Sequence, residues 1–395
     1  MSYLSEVMAQ YDAPQQAKAA GVYPYFRPIE SDQDTVVTIN GKRVLMFGSN
    51  SYLGLTNHPQ LKEASIKAVE KYGTGCAGSR FLNGTLDIHI ELEERLAKLV
   101  GKDEALVYAT GFTVNSGVIP CLTGREDYLI YDERNHASII EGKRLTFGKQ
   151  LKYRHNDMES LEKVLKKCDD NKIKLIVADG VFSMEGDIAP LPEMVELSKK
   201  YNASIYIDEA HSLGVFGKTG AGVCEHFGLT KDVDLIMGTF SKSLGTIGGF
   251  IAADKHIINY LKHNSRTLIF SASITPASTA CVLAALDVME NETWRKDALW
   301  ANTNRAKEGF EKAGFEIGPT ASPIIPLYVR DNNKTFILTK MLMEEGVFVN
   351  PVVTPAVPPE DTLIRYSLMA THTFDQIDES VEKITRISKQ LGILH

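Results

Sequence analysis

From about residue 56 to residue 290, short β-branched runs alternate with amphipathic helical stretches, and this pattern constrains the chain more than any other. The runs are Glu104–Ala109, Asp127–Tyr131, Ile173–Asp179, Ser204–Asp208, Asp234–Gly238 and Gly249–Ala253. Strands that run the same way need long crossovers, most often helices, so the alternation predicts an α/β fold with a large, mostly parallel sheet. Beyond about residue 291 the pattern changes. It predicts a long helix near 298–314, a strand from Ile324, a helix near 334–345, short strands around Val347–Val353 and Leu363–Leu368, and a last helix from Phe374. The expected division is an N-terminal arm (1–55), a large domain (56–290) and a smaller C-terminal α+β domain (291–395), with no repeat or low-complexity linker between them.

In a sheet of this kind ligands collect beyond the carboxyl ends of the strands. The loops just after the runs carry unusual polar residues: Thr110 and Gly111, His136, Ser183, Asp208 with His211, and Ser241 with Lys242. Asp208 ends an apolar strand, where a carboxylate is costly to bury without a positive partner. A protonated pyridine nitrogen is such a partner, and keeping it protonated makes the ring an electron sink, as pyridoxal 5'-phosphate (PLP) requires of its protein. Lys242 leaves the sheet edge among small and hydroxylated residues, with Thr239 and Ser241 to donate to phosphate and Gly245, Gly248 and Gly249 to permit close approach. Ala109-Thr-Gly111-Phe112-Thr-Val-Asn reads as a strand passing into a helix whose N-terminus suits a phosphate. Singly each signal is weak; a strand-end Asp is usually a cap and a lone His a satisfied core residue. The chain order of phosphate loop, His136, Ser183, Asp208 with His211, then Lys242 carries the assignment.

With 395 residues, 44% hydrophobic, the chain has enough apolar surface for a large core, and its net charge of -7 excludes a surface built to neutralise nucleic-acid phosphates. The five cysteines are widely spaced and never form a C-x-x-C pair, so neither a disulfide framework nor a zinc site is signalled and no metal is expected. The N-terminal residues lack the basic start and apolar run of a signal peptide, and no apolar stretch is long enough to cross a bilayer; a cytoplasmic location is expected.

At these residues the sequence resembles the α-oxoamine synthase family of fold-type I PLP enzymes (aspartate aminotransferase-like), from Asn50-Ser-Tyr-Leu-Gly-Leu to Ala370-Thr-His-Thr. The segments that carry the resemblance are Asp132-Glu-Arg-Asn-His136-Ala-Ser, Asp179-Gly-Val-Phe-Ser183-Met-Glu-Gly-Asp187, Asp208-Glu-Ala-His211-Ser-Leu-Gly and Thr239-Phe-Ser-Lys242-Ser. The resemblance implies that Lys242 carries PLP and serves as base, that His136 stacks on the pyridine face and that Ser183 and His211 contact the ring oxygen. It also implies that Asp208 pairs with the ring nitrogen, and that Gly111, Phe112, Thr239 and Ser241 surround the phosphate. Each site is expected at a homodimer interface, with Ser271 and Ala272, in Phe270-Ser-Ala-Ser273, lent to the partner's cofactor. Asn50, Tyr52 and Arg365 are implied as substrate-binding residues, a guanidinium being suited to pair both oxygens of a carboxylate.

Within the family, Tyr72–His89 and the Pro-rich segment Pro351–Pro359 are most similar to soluble bacterial serine palmitoyltransferases. That branch implies L-serine and a long-chain acyl-CoA such as palmitoyl-CoA as substrates, condensed to 3-oxosphinganine with release of CoA and CO2. It also implies a place in sphingolipid biosynthesis and peripheral contact with the inner face of the membrane for product release. One departure is Val353, where some bacterial members carry an extra Arg. Alternatives are glycine C-acetyltransferase, 8-amino-7-oxononanoate synthase, glycine with succinyl-CoA, and a non-catalytic regulatory homologue, which the presence of Lys242, Asp208 and His136 disfavours. Gly73-Thr-Gly-Cys-Ala-Gly78 matches G-x-G-x-x-G, but it follows the helical stretch 59–71 and not a strand, so a nicotinamide-binding fingerprint is rejected.

Overall fold

A computed structural model of the chain describes residues 2–354 and 356–394. The chain divides into two compact units, Asn50–Leu299 and Met1–Ser49 together with Trp300–His395. The sequence pattern places the boundaries near 55 and 290.

In the second of these units, β1 (Val36–Ile39) and β2 (Lys42–Met46) form a hairpin. It turns at Asn40-Gly41, where both residues have positive φ (50° and 69°), the conformation that the tight hairpin turn demands.

The Asn50–Leu299 unit holds seven strands: β3 (Glu104–Tyr108), β4 (Tyr128–Asp132), β5 (Lys149–Tyr153), β6 (Lys174–Asp179), β7 (Ser204–Asp208), β8 (Leu235–Thr239) and β9 (Gly249–Ala253). Their order across the sheet is β3-β9-β8-β7-β6-β4-β5. Only β9 runs against its neighbours, so the predicted mostly parallel sheet is present. Strands β6 and β8 are buried along their whole length and β7 along all but its first residue, as expected of a parallel sheet covered on both faces. Leu106, Val118, Leu129, Val177, Tyr206 and Ile251 lie in one apolar cluster of that cover. Helix Pro59–Tyr72 precedes Gly73, so the glycine-rich stretch there follows a helix, as read from sequence.

The remaining strands are β10 (Ile324–Tyr328), β11 (Val347–Phe348), β12 (Asn350–Val352) and β13 (Leu363–Ser367). They make an antiparallel sheet β10-β13-β12, while β11 joins β2 in parallel. Helices Asn332–Glu344 and Phe374–Gln390 fall close to the predicted positions, and the long helix, Trp294–Ala313, begins four residues earlier than the pattern near 298 suggested. Pro355, within the Pro351–Pro359 segment, lies outside the described residues; Val353 is buried.

His372 is fully enclosed in this unit. Its Nδ1 accepts from the Met369 N–H at 2.9 Å, its Nε2 donates to the Met46 carbonyl at 3.1 Å, and its ring stacks on Phe47. Burial pushes its pKa down to about 3, against the two backbone hydrogen bonds. The neutral ring therefore contributes stability that is complete above the unfolded value of about 6.5 and is lost as pH falls from there towards 3, at up to about 1.4 kcal/mol per pH unit. Urea unfolding at pH 7 and pH 5 should show a larger loss in wild type than in His372→Gln. Equal losses would remove His372 from the pH dependence.

Candidate active site

Five of the seven strands end at one edge of the sheet with the residues singled out from sequence. After β3 the chain enters helix Gly111–Leu122, capped by Thr110, whose Oγ1 accepts from the Thr113 N–H at 3.1 Å. The N–H groups of the first turn have no acceptor inside the helix. A Cβ built on Gly111 would stand 2.6 Å from Thr239 Oγ1, and one on Gly249 would stand 2.7 Å from the Gly111 Cα. Only glycines permit β3, β8 and β9 to bring this helix start against Thr239. The cradle of N–H groups with Thr239 Oγ1, itself 3.0 Å from Ser241 Oγ, has the donors that a phosphate needs. Phe112 is half exposed beside it.

Lys242 follows β8 in a turn closed by hydrogen bonds from Phe240 N–H to the Gly248 carbonyl (3.0 Å) and from Gly245 N–H to the Lys242 carbonyl (3.1 Å). Gly245 has φ of 68°, a conformation that side-chain-bearing residues rarely adopt. Lys242 is half-buried, and its charge reaches both His136 and Asp179.

Asp208, at the end of β7, is only 2% exposed, and two neutral donors hydrogen-bond its carboxylate. Asn115 Nδ2 donates to Oδ2 at 2.7 Å and the Ala210 N–H to Oδ1 at 2.9 Å. Next to it, in register on β6, is Asp179, whose carboxyl is held well above the usual range by burial and then by the Asp208 charge. Two buried acids side by side make the site favourable for a cation. A pyridinium nitrogen meeting Asp208 supplies one.

The hydrogen bonds around Asn115 have a definite direction. Tyr206, whose pKa burial raises well above the ordinary value, donates its hydroxyl proton to Asn115 Oδ1 at 2.5 Å. The Asn115 amide then donates to Asp208 and, at 2.8 Å, to Ser138 Oγ. Ser138 Oγ lies 2.8 Å from His136 Nδ1, which also accepts the Ser138 N–H at 3.2 Å. With Nδ1 an acceptor, the ring proton of neutral His136 sits on Nε2. Desolvation and then the Lys242 charge lower the His136 pKa, with Asp208 opposing, so the ring is neutral at pH 7. Its backbone N–H is fixed by Asp179 Oδ2 at 2.8 Å. An exposed imidazole anchored at one nitrogen has a face free to cover a flat ring.

Asn115 is fully enclosed, and Asn115→Ala leaves both the Tyr206 hydroxyl and Asp208 short of a partner. A loss of about 1–3 kcal/mol is expected in chemical denaturation. Stability equal to wild type would show that the network does not form. Asn115, Ser138, Tyr206 and Asp179 were not singled out as site residues. A polar amide inside the apolar helical stretch after Gly111 was the signal available for the first.

The other predicted residues are placed as follows. Tyr52 hydroxyl lies 2.6 Å from His211 Nδ1, both buried, so these two act as a pair. Glu209, beside Asp208, accepts from the N–H groups of Val223 and Cys224 at 2.8 Å and fixes the loop that carries His211. Ser183 is half-buried in the loop after β6. Asn50 Oδ1 is buried with no hydrogen-bond partner among the described residues, as expected of a group waiting for a ligand. Ser271 and Ala272 lie between helices Arg266–Ile269 and Pro276–Asn291, next to Phe270, which is 76% exposed. Ser273 ties that stretch to the glycine-rich segment, its N–H donating to the Gly78 carbonyl and its Oγ to the Gly84 carbonyl. Arg365 belongs to the other unit, buried at the middle of β13, with Nη1 donating to Ser367 Oγ at 2.7 Å. Among the described residues no group of His, Cys, Asp and Glu could hold a metal ion, and no helix is long and apolar enough to cross a membrane.

Comparisons with known proteins show the family to which the chain belongs. The profile of the family "Aminotransferase class I and II" matches residues 42–384. The serine palmitoyltransferase of Bacteroides thetaiotaomicron is 64% identical over 394 residues, covering 100% of both chains. The 8-amino-7-oxononanoate synthase of Thermosipho melanesiensis is 43% identical, covering 95% of this chain and 96% of its own. A solved structure described as "SPT with PLP internal aldimine" superposes with a TM-score of 0.96 at 34% identity over 100% of both chains. The chain therefore has the fold of fold-type I PLP enzymes and belongs to the aminotransferase class I and II family, where it is related to serine palmitoyltransferases and, at greater distance, to 8-amino-7-oxononanoate synthases.

Proposed function

We propose that this protein is a PLP enzyme that condenses L-serine with a long-chain acyl-CoA, releasing CoA and CO2 and forming 3-oxosphinganine. The observation that carries the cofactor assignment is the buried Asp208 carboxylate, hydrogen-bonded by the neutral donors of Asn115 and Ala210, in the same electrostatic neighbourhood as Lys242, on a sheet edge that also carries a glycine-permitted phosphate cradle. The choice of serine and a long acyl chain rests on the full-length relationship to serine palmitoyltransferases.

PLP, when bound, supplies an electron-poor ring that delocalises negative charge from the α-carbon of an amino acid. The chain's own residues supply holding, orientation and proton transfer. Lys242 Nζ is the attachment point and, once released, the base that takes the α-proton of serine. Asp208 keeps a proton on the ring nitrogen, and Asn115 aims the carboxylate that does so. His136 covers one face of the ring in the tautomer set by Ser138. Gly111, Phe112, Thr239 and Ser241 hold the phosphate, and Ser183 and His211 meet the ring oxygen, with Tyr52 fixing the His211 ring. Asn50 and Arg365 receive the serine carboxylate, Arg365 acting without a second cation because position 353 is Val.

Serine's carboxylate and α-hydrogen have to be oriented separately, so fixed geometry at these residues matters more than binding strength. A homodimer is part of this reading: Ser271 and Ala272, on an exposed apolar segment, serve the phosphate of a second copy. In this reading the insoluble product is released at a membrane surface.

The test is purified protein incubated with serine, glycine or alanine against acyl-CoAs of graded length, with the product mass read directly. The expected result is 3-oxosphinganine from serine and palmitoyl-CoA. A product only from glycine with acetyl-CoA or from alanine with pimeloyl thioester would move the protein to a sibling reaction.

A further inference from the structure

His155 stands outside the groups used so far, in the turn after β5, yet it touches both loops that flank the ring site. Its Nδ1 lies 3.0 Å from Asp132 Oδ1 and its Nε2 lies 2.9 Å from Asp187 Oδ2. Asp132 is four residues before His136, and Asp187 is four residues after Ser183. The next residue repeats the bridge: Asn156 N–H donates to Asp132 Oδ2 at 2.9 Å, and Asn156 Nδ2 donates to Asp187 Oδ2 at 2.8 Å. Asn156 has φ of 51°, so the backbone is bent to bring both residues onto the same pair of acids.

Ionised carboxylates only accept, and a neutral imidazole has one N–H. Both contacts therefore form together only when the ring carries two protons. Phe182, buried and immediately before Ser183, packs edge-on against the imidazole with ring centroids 4.4 Å apart. Asp132 is fully enclosed, and Asp187 Oδ1 is buried with no partner among the described residues, so the acids depend on His155 for their charge balance. The His155 pKa, despite burial, is raised to about 9 by these two hydrogen bonds and the two charges. Arg134 also pairs with Glu185 at 2.7 Å across the same two loops, but its guanidinium end is more exposed than His155.

We propose that doubly protonated His155 is a positioning residue that clasps the His136 loop to the Ser183 loop and so sets the orientation in which the cofactor ring is held. This inference rests on the PLP reading above. His155 touches no reacting atom; it acts through Asp132 and Asp187. A shift of the two loops of the order of 1 Å lowers turnover about 100-fold in sites of this kind. The expected effect of His155→Gln, whose single amide cannot reproduce two opposed donors, is a fall in kcat of about 10- to 100-fold, with the KM for serine changed much less. The visible circular dichroism of each bound PLP, which reports ring orientation, should fall with it.

The experiment compares PLP-loaded wild type, His155→Gln and Asp187→Asn by visible circular dichroism, kcat and KM for serine, and thermal melting. Asp187→Asn keeps the shape, removes one charge of the clasp, and should shift dichroism and kcat in the same direction. If His155→Gln fails to fold, Asp187→Asn decides alone, and dichroism and kcat equal to wild type in that variant overturn the clasp. A lowered melting temperature with unchanged dichroism and kcat also overturns it, since His155 is then merely structural. Wild-type protein that takes up no PLP overturns the cofactor reading and the clasp with it. Normal wild type matched by His155→Gln overturns the clasp alone.

Discussion

Lys242→Ala protein is expected to fold and to lose turnover of serine with palmitoyl-CoA by about 1000-fold or more. Two functions end with that amine, the attachment of the cofactor and the transfer of the α-proton, and a positioned base alone contributes about 100- to 10,000-fold. Folding should survive because the turn is shaped by backbone: Gly245 at positive φ and the hydrogen bonds of Phe240 and Gly245 do not involve the Lys242 side chain. Circular dichroism in the far ultraviolet would verify the fold, and product formation followed by mass would measure the loss. Turnover within tenfold of wild type would leave another group as base.

Asp208→Asn is the second large effect. The replacement keeps the shape and leaves an oxygen to accept from Asn115, but it removes the carboxylate charge that meets a protonated ring nitrogen in this buried place. A preorganised electrostatic group of this kind is worth about 100- to 1000-fold in kcat. The predicted signature is near-normal retention of PLP with failed exchange of the serine α-hydrogen for deuterium, read by nuclear magnetic resonance. Exchange at the wild-type rate would show that Asp208 does not govern the charge of the ring. Because Asp179 lies beside Asp208 and shares its field, Asp179→Asn should also change the exchange rate, though by less.

Much of this site was legible because chemistry and sheet topology coincide. Parallel strands end at one edge, so Gly111, His136, Ser183, Asp208 and Lys242, far apart in sequence, fall along one line. The helix–strand alternation placed six of the seven large-sheet strands. The seventh, β5, has the sequence Lys149-Gln-Leu-Lys-Tyr153 and is mostly exposed at the sheet edge, where burial does not select an apolar run. The hairpin β1–β2 also has a local signal, Asn40-Gly41 between Val36-Val-Thr-Ile and Lys42-Arg-Val-Leu-Met.

The supporting shell was not legible, for a different reason. Asn115 and His155 act through hydrogen bonds between segments 23 to 93 residues apart. Such partners have no local spacing to betray them. The contact between the Tyr52 hydroxyl and His211 Nδ1 joins two motifs 159 residues apart, so no local spacing announces it.

Borohydride reduction of the native protein followed by peptide mass mapping tests the central claim most directly. If the ε-amine at position 242 forms an imine with the PLP aldehyde, reduction fixes a stable pyridoxyl-phosphate mass on the peptide containing Lys242 and on no other. A folded protein that yields that peptide unmodified, or carries the label on a different lysine, contradicts the account.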